Sequence, residues 1–187
     1  MRLRKTFDGL RLSLMPDSVT TASGPQYFTG WGFFPATTLE EEIIMFEVTI
    51  ATDGSAIPQV ECRPGGWAAV LRYGSHERRL SGAEFNTTSQ RMELRAALEG
   101  LKALKAPCSV TLETDSQYLC ECGKGNFKIK ANAEIWGELL DLIEKGDHKV
   151  TFVKVKGHSG HPVNELCDQL AKQAIKDLLN EYTTHLL

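Results

Sequence analysis

From Phe46 the chain alternates, with Phe46, Val48 and Ile50 apolar and Glu47 and Thr49 polar between them, which is the period of a β-strand. The run closes in Thr52-Asp53-Gly54-Ser55. Asp53 is therefore expected at the carboxyl end of the strand, on the face opposite its strongest apolar residues. A Pro- and Gly-rich loop through Pro58, Pro64, Gly65 and Gly66 leads to a second strand pattern, Trp67 to Tyr73, and a third runs from Glu77 to about Gly82. Short connections imply an antiparallel meander.

The period then lengthens. Leu94, Ala97, Leu98, Leu101 and Leu104 recur at helical spacing behind a start signal in which Thr87 and Gln90 fit a capping box. On that wheel Glu93 falls about 80° from the centre of the stripe, at the core edge. Val110 and Leu112 alternate with Thr111 and Glu113 in a fourth strand that ends at Asp115, repeating the arrangement at Asp53. Residues 116–131 read as a short helix and a loop. Ile135, Leu139, Leu140 and Ile143 mark a helix from about Ala133 to Lys145, and Lys149 to Val155 form a last strand. Pro162 suits the first position of a helix that continues to near Tyr182. On it Val163, Leu170, Ala171, Ala174 and Leu178 lie within about 60° of Cys167. Asp168 stands at the border of that face, and Asn164 one turn earlier on the same side. The order β-β-β-α-β-α-α-β-α predicts a three-layer α/β domain. Its mixed five-stranded sheet has three antiparallel strands followed by parallel ones, flanked by helices.

With 187 residues, 42% hydrophobic and 24% charged, the chain can build one ordinary core, which sets aside disorder and a coiled coil. No apolar run approaches the roughly 18 residues needed to span a bilayer, and the N-terminal segment lacks the apolar centre of a secretory signal. The expectation is a cytoplasmic protein with no membrane partner and no obligate protein partner, acting as a monomer. A formal net charge of -3 means that a polyanion must be met by local basic patches. The five cysteines form no paired CxxC spacing, and nothing completes a zinc site around Cys120 and Cys122, so they read as reduced thiols. Residues 1–44 carry a basic start, a Ser/Thr/Gly/Pro-rich middle and Glu40, Glu41 and Glu42 at the close. They are expected to be an N-terminal extension of unknown role ahead of a catalytic domain over 45–187.

Asp53, Glu93, Asp115 and Asp168 are 40, 22 and 53 residues apart, so only topology can assemble them. Taken singly, an aspartate at a strand end is a common turn former. In open α/β sheets, however, sites form at the carboxyl ends of strands. Four carboxylates in one cleft repel unless cations neutralise them, and an all-oxygen set suits magnesium or manganese far better than zinc. Two such ions about 4 Å apart clamp the attacking and leaving oxygens of a phosphodiester. Beside Asp168, His158 sits in a glycine-flanked loop, and Lys124, Lys128 and Lys130 surround Phe127 in a basic loop.

In chain order TDGS, TTSQRMEL, TDSQY and KGHSGHPVNELCDQLA resemble the motifs of the type I ribonuclease H family, over roughly residues 47–177. The resemblance implies that Asp53, Glu93, Asp115 and Asp168 hold two Mg2+ ions, with Mn2+ able to substitute. It implies that His158 assists proton transfer or product release. It also implies that Thr88, Ser89, Gln90, Gln117 and Asn164 contact an RNA/DNA hybrid whose RNA strand is cut to 5′-phosphate and 3′-hydroxyl ends. Three departures stand out. Ser89 and Gln90 occupy positions where the family more often has asparagines. The loop after TDGS lacks the Asn-Pro of many members. Only 21 residues separate Asp115 from Trp136, too few for the long basic handle of many relatives, so Lys124, Lys128 and Lys130 are expected as a reduced substitute. A non-catalytic hybrid-binding module is the rival reading, but a pure binder gains nothing from carboxylates beside phosphate. A transposase or integrase relative with the same sheet is disfavoured by the KGHSGH loop.

Overall fold

The computed structural model describes residues 45–157 and 162–185. Its elements follow the predicted order: β1 (Phe46–Ala56), β2 (Gly65–Tyr73), β3 (His76–Glu84), α1 (Ser89–Lys102), β4 (Cys108–Thr114), α2 (Gln117–Gly123), α3 (Ala133–Lys145), β5 (Lys149–Lys154) and α4 (Pro162–Thr184). The five strands form one sheet in the order β3-β2-β1-β4-β5. β1, β2 and β3 pair antiparallel, whereas β4 runs parallel to β1, and β5 parallel to β4. None of the described helices is long and apolar enough to cross a membrane.

β1 does not stop at Asp53. Gly54, Ser55 and Ala56 stay paired with Trp67, Gly66 and Gly65 of β2. The parallel ladder with β4 does end there, its last pair being Thr52 with Thr114. Asp53 and Asp115 are thus the next residues on two neighbouring parallel strands. Both threonines are buried, and the Thr52 hydroxyl donates to the Glu113 carbonyl at 3.1 Å.

Two cores flank the sheet. The larger packs Ile50, Leu71, Val110 and Leu112 against α1, α2 and α3 through Leu94, Leu98, Leu119, Trp136 and Leu139. The smaller packs Ala51, Ala68 and Val70 against Val163, Cys167 and Ala171 of α4. β1 is therefore covered on both faces, as a central strand of a three-layer sandwich must be.

Local details depart from the pattern in three places. The α1 N-cap is Thr88 rather than Thr87: its extended backbone (φ -136, ψ 155) lets its side chain accept from the Arg91 amide at 3.3 Å. Thr87 is drawn into the preceding loop, where its amide donates to the Arg63 carbonyl and its hydroxyl to the Glu84 carboxylate. On α3, Leu140 is 47% exposed while Trp136 is buried, because Leu140 stands about 100° round the helix from the central Leu139. On α4 the buried set is Val163, Asn164, Cys167, Ala171 and Ile175. This rotates the helix toward the side that carries Asp168. Gly66 fixes that seat, since a Cβ there would collide with the Ala171 carbonyl.

Candidate active site

The carboxylates are brought to one end of the sheet by backbone packing. Asp53 comes from β1, Asp115 from the residue after β4, Glu93 from the second turn of α1, and Asp168 from the second turn of α4. Gly54 allows α1 to approach: a Cβ there would lie inside the Glu93 amide nitrogen and the Met92 carbonyl carbon. Gly157, the last residue described before α4, passes against the Asp115 carboxylate. His158 is the next residue in the chain and lies outside the described residues.

Electrostatics show that the four groups share one field. Burial raises the Asp53 carboxyl from 3.8 to about 7, with further upward pressure from Asp115, Asp168 and Glu93, and the Gly54 amide opposes it by donating to Oδ1 at 2.7 Å. Burial also raises Glu93, with Asp115 adding to it, while a hydrogen bond from the Ser116 hydroxyl pulls the other way. That hydroxyl also caps α2 by accepting from the Leu119 amide at 3.3 Å. Ser116 therefore ties the start of α2 to Glu93. Glu93 is a half-buried group under strain, not the solvated helix-start glutamate that its position alone would allow.

Among the described residues no three His, Cys, Asp or Glu side chains already stand in a ligand-ready group. Three of the four carboxylates are engaged by donors within the chain. Asp168 Oδ2 is held by Lys172 Nζ at 2.7 Å one turn along α4, Asp53 is turned to the Gly54 amide, and Glu93 to Ser116. The donor set still fits a hard divalent cation, since every candidate ligand is a carboxylate oxygen and the charge is undercompensated at Asp53.

The remaining predicted residues divide by position. Thr88 and Ser89 are exposed and Gln90 half-exposed at the start of α1, and Gln117 is exposed as the first residue of α2, two positions past Asp115. They form a polar rim. Asn164 is enclosed, only 4% exposed, with an Oδ1 that has no hydrogen-bond partner among the described residues. Lys124, Lys128 and Lys130 are exposed at the end of α2 and in the loop beyond it. Sequence reasoning missed Ser116 as a Glu93 partner and Lys172 as an Asp168 partner. The second was visible as an i, i+4 acid–base pair; the first depends on a contact between α1 and α2 that no local pattern carries.

The family model for RNase H matches residues 45–176. A ribonuclease H of Hydrogenovibrio crunogenus is 47% identical over 151 residues, covering 72% of this chain and 99% of that protein. A ribonuclease HI of Helicobacter pylori is 46% identical over 136 residues, 68% of this chain and 92% of its own. Among solved structures, LC11-RNase H1 in complex with an RNA/DNA hybrid superposes with a TM-score of 0.62 at 20% identity over 71% of this chain and 99% of that one. The N-terminal RNase H domain of rv2228c from Mycobacterium tuberculosis gives 0.63 at 21% identity over 73% and 99%. The sheet order and the placement of the helices thus define an RNase H fold. With the family match and relatives of this similarity, the chain belongs to the RNase H family, whose members are hydrolases acting on nucleic acid.

Proposed function

We propose that the chain from Met45 onward is a metal-dependent endonuclease that hydrolyses the RNA strand of RNA/DNA hybrids. The observation that carries this reading is the convergence of Asp53, Glu93, Asp115 and Asp168 at the end of the β1–β4 ladder, with the Asp53 carboxyl pushed up to about 7. A protein keeps such a cluster at a cost in stability, and the cost has a use if cations are to be held there. Asp53, Glu93, Asp115 and Asp168 would hold two Mg2+ ions, or Mn2+ in their place. Bound there, the ions supply electrostatic stabilisation of the charge that builds on the scissile phosphate and the departing oxygen.

The chain's own groups do the rest. The Gly54 contact fixes Glu93 relative to Asp53, and Ser116 fixes α2 relative to Glu93. Water attacks phosphorus, the bond from phosphorus to the 3′ oxygen breaks, and that oxygen takes a proton, leaving 5′-phosphate and 3′-hydroxyl ends. His158 moves a proton in this exchange or eases product release. Thr88, Ser89, Gln90 and Gln117 contact the hybrid from the rim, where the 2′-hydroxyls in a wide minor groove distinguish RNA from DNA. Asn164, expected among the hybrid contacts, is too enclosed to touch the duplex directly, and Lys124, Lys128 and Lys130 supply phosphate contacts. The overlap in fold with a structure solved on an RNA/DNA hybrid supports the substrate class. The protein is expected to work as a cytoplasmic monomer.

The test is cleavage of an end-labelled RNA/DNA hybrid beside RNA/RNA and DNA/DNA duplexes, with magnesium and with excess chelator. The reading requires cuts in the RNA strand of the hybrid alone, and none in chelator. Equal cutting of duplex DNA, or full activity without divalent cation, would overturn it.

A further inference from the structure

Beyond the carboxylates, the loop that follows α2 builds a second concave surface. Its backbone is tied down at both ends. The Asn126 and Phe127 amides donate to the Glu121 carbonyl at 2.9 and 3.1 Å, and the Asn126 side chain donates to the Glu121 carboxylate at 2.8 Å. At the far end the Tyr118 hydroxyl accepts from the Lys130 and Ala131 amides and donates to the Ala131 carbonyl. The Tyr118 ring is itself braced edge-on against buried Trp136, with centroids 6.3 Å apart. In a loop held this firmly, Phe127 is nevertheless 48% exposed. It borders a cavity of about 420 Å³ lined by Tyr118, Asn126, Phe127, Lys128 and Lys130.

An aromatic wall flanked by two ammonium groups suits a ligand with a flat π face and a phosphate, which is a nucleotide, and the volume lies in the range of small-ligand sites. A base paired in the interior of a duplex cannot use it, because both its faces are covered by its neighbours. Along the chain the pocket is tied to the proposed cleavage site through α2: Tyr118 follows Gln117 at the start of that helix, three residues after Asp115.

We propose that this pocket holds an unpaired nucleotide of a single strand adjoining the hybrid, its base stacked on Phe127 and its phosphate met by Lys128 and Lys130. The assignment rests on the hybrid-cleaving reading and adds to it a preference for junctions between hybrid and single strand. It gives a local anchor to a protein whose net charge is -3 and whose chain leaves no room for a long basic handle.

The experiment measures binding of one blunt hybrid and of the same hybrid extended by a single-stranded overhang on each strand and at each end, with calcium in place of magnesium. One overhang polarity should bind about tenfold more tightly than the blunt duplex, the effect of one base–aromatic stack. Phe127→Ala should remove that advantage and leave blunt binding and blunt cleavage unchanged, and Phe127→Trp should keep it. Equal binding of all substrates by the unaltered protein would overturn the proposal, as would equal loss on blunt and overhung hybrids in Phe127→Ala. Failure of the unaltered protein to cut any hybrid in magnesium would instead remove the hydrolase reading on which the proposal rests.

Discussion

Replacing Asp53 with asparagine keeps the size of the side chain and removes its charge, so it separates the cost of the carboxylate cluster from its use. The carboxyl titrates at about 7 in the folded chain against an ordinary 3.8, with burial the leading cause and Asp115 next. The folded state thus binds this proton more tightly than the unfolded state does. Between pH 4 and 7 the unfolded chain has lost the proton while the folded chain retains it, so stability falls as pH rises through that window and levels off above it. The gap of about three pH units corresponds to about 4 kcal/mol at neutral pH. An enclosed amide also has a desolvation cost, so the net gain for Asp53→Asn should be about 1–3 kcal/mol. Urea unfolding at pH 7.5 in chelator should show the variant more stable than the parent, with the advantage gone at pH 4. Magnesium should then stabilise the parent and act less on the variant, since a ligand specific to the folded state adds about 2.7 kcal/mol at a hundred times its Kd. Hybrid cleavage by the variant should be lost. A variant no more stable than the parent at pH 7.5, or an advantage unchanged at pH 4, would refute the argument that Asp53 is held charged against burial and like charges.

Three further outcomes follow from the packing around the site. Gly54→Ala forces a Cβ into the Glu93 amide, so it should destabilise by at least about 1–3 kcal/mol in thermal unfolding and reduce kcat through displaced Glu93. His158→Ala should lower kcat by about 10²- to 10⁴-fold in steady-state cleavage, with residual activity above that of Asp53→Asn, as suits a group moving a proton rather than holding a metal. Lys172→Met removes the cation paired with Asp168, so a magnesium titration of thermal stability should saturate at lower concentration, by an amount modest for a pair whose lysine is 54% exposed.

The order of elements and the mixed sheet were readable because the period of the apolar residues changes cleanly from two at Phe46–Ile50 to helical at Leu94–Leu104. Asp53 and Asp115 could be seen as equivalent positions because each closes an alternating run with Asp-Ser or Asp-Gly-Ser. Other features were hidden by tertiary competition. Thr87 has the sequence of a cap, yet Glu84 and Arg63 take its hydroxyl and its amide, and Thr88 caps instead. Leu140 has the composition of a core residue but lies off the stripe fixed by Ile135, Trp136 and Leu139. The role of Gly54 was unreadable, since in Thr-Asp-Gly-Ser it looks like a turn residue. In the structure it stays in the strand, and its missing side chain makes room for α1.

Gly54 also bears on why the cluster is rigid enough to be useful. Neighbouring strands run about 4.8 Å apart, so two charged carboxylates at the end of the β1–β4 ladder repel by about 3 kcal/mol at an effective dielectric constant near 20. Side chains on a loop could move apart and relieve that repulsion. Here Thr52 is paired with Thr114 in the ladder and hydrogen-bonded to Glu113, Gly54 is pinned between Trp67 and Glu93, and Ala171 is seated on Gly66. The backbone cannot open without losing packing on both faces of β1. Relief is left to protonation of Asp53, to the borrowed donors Lys172 and Ser116, or to a bound divalent cation. Of these, a divalent cation alone would neutralise several carboxylates at once, and an all-oxygen donor set on a stiff sheet would favour a hard one, which is what the magnesium arm of the Asp53→Asn experiment tests.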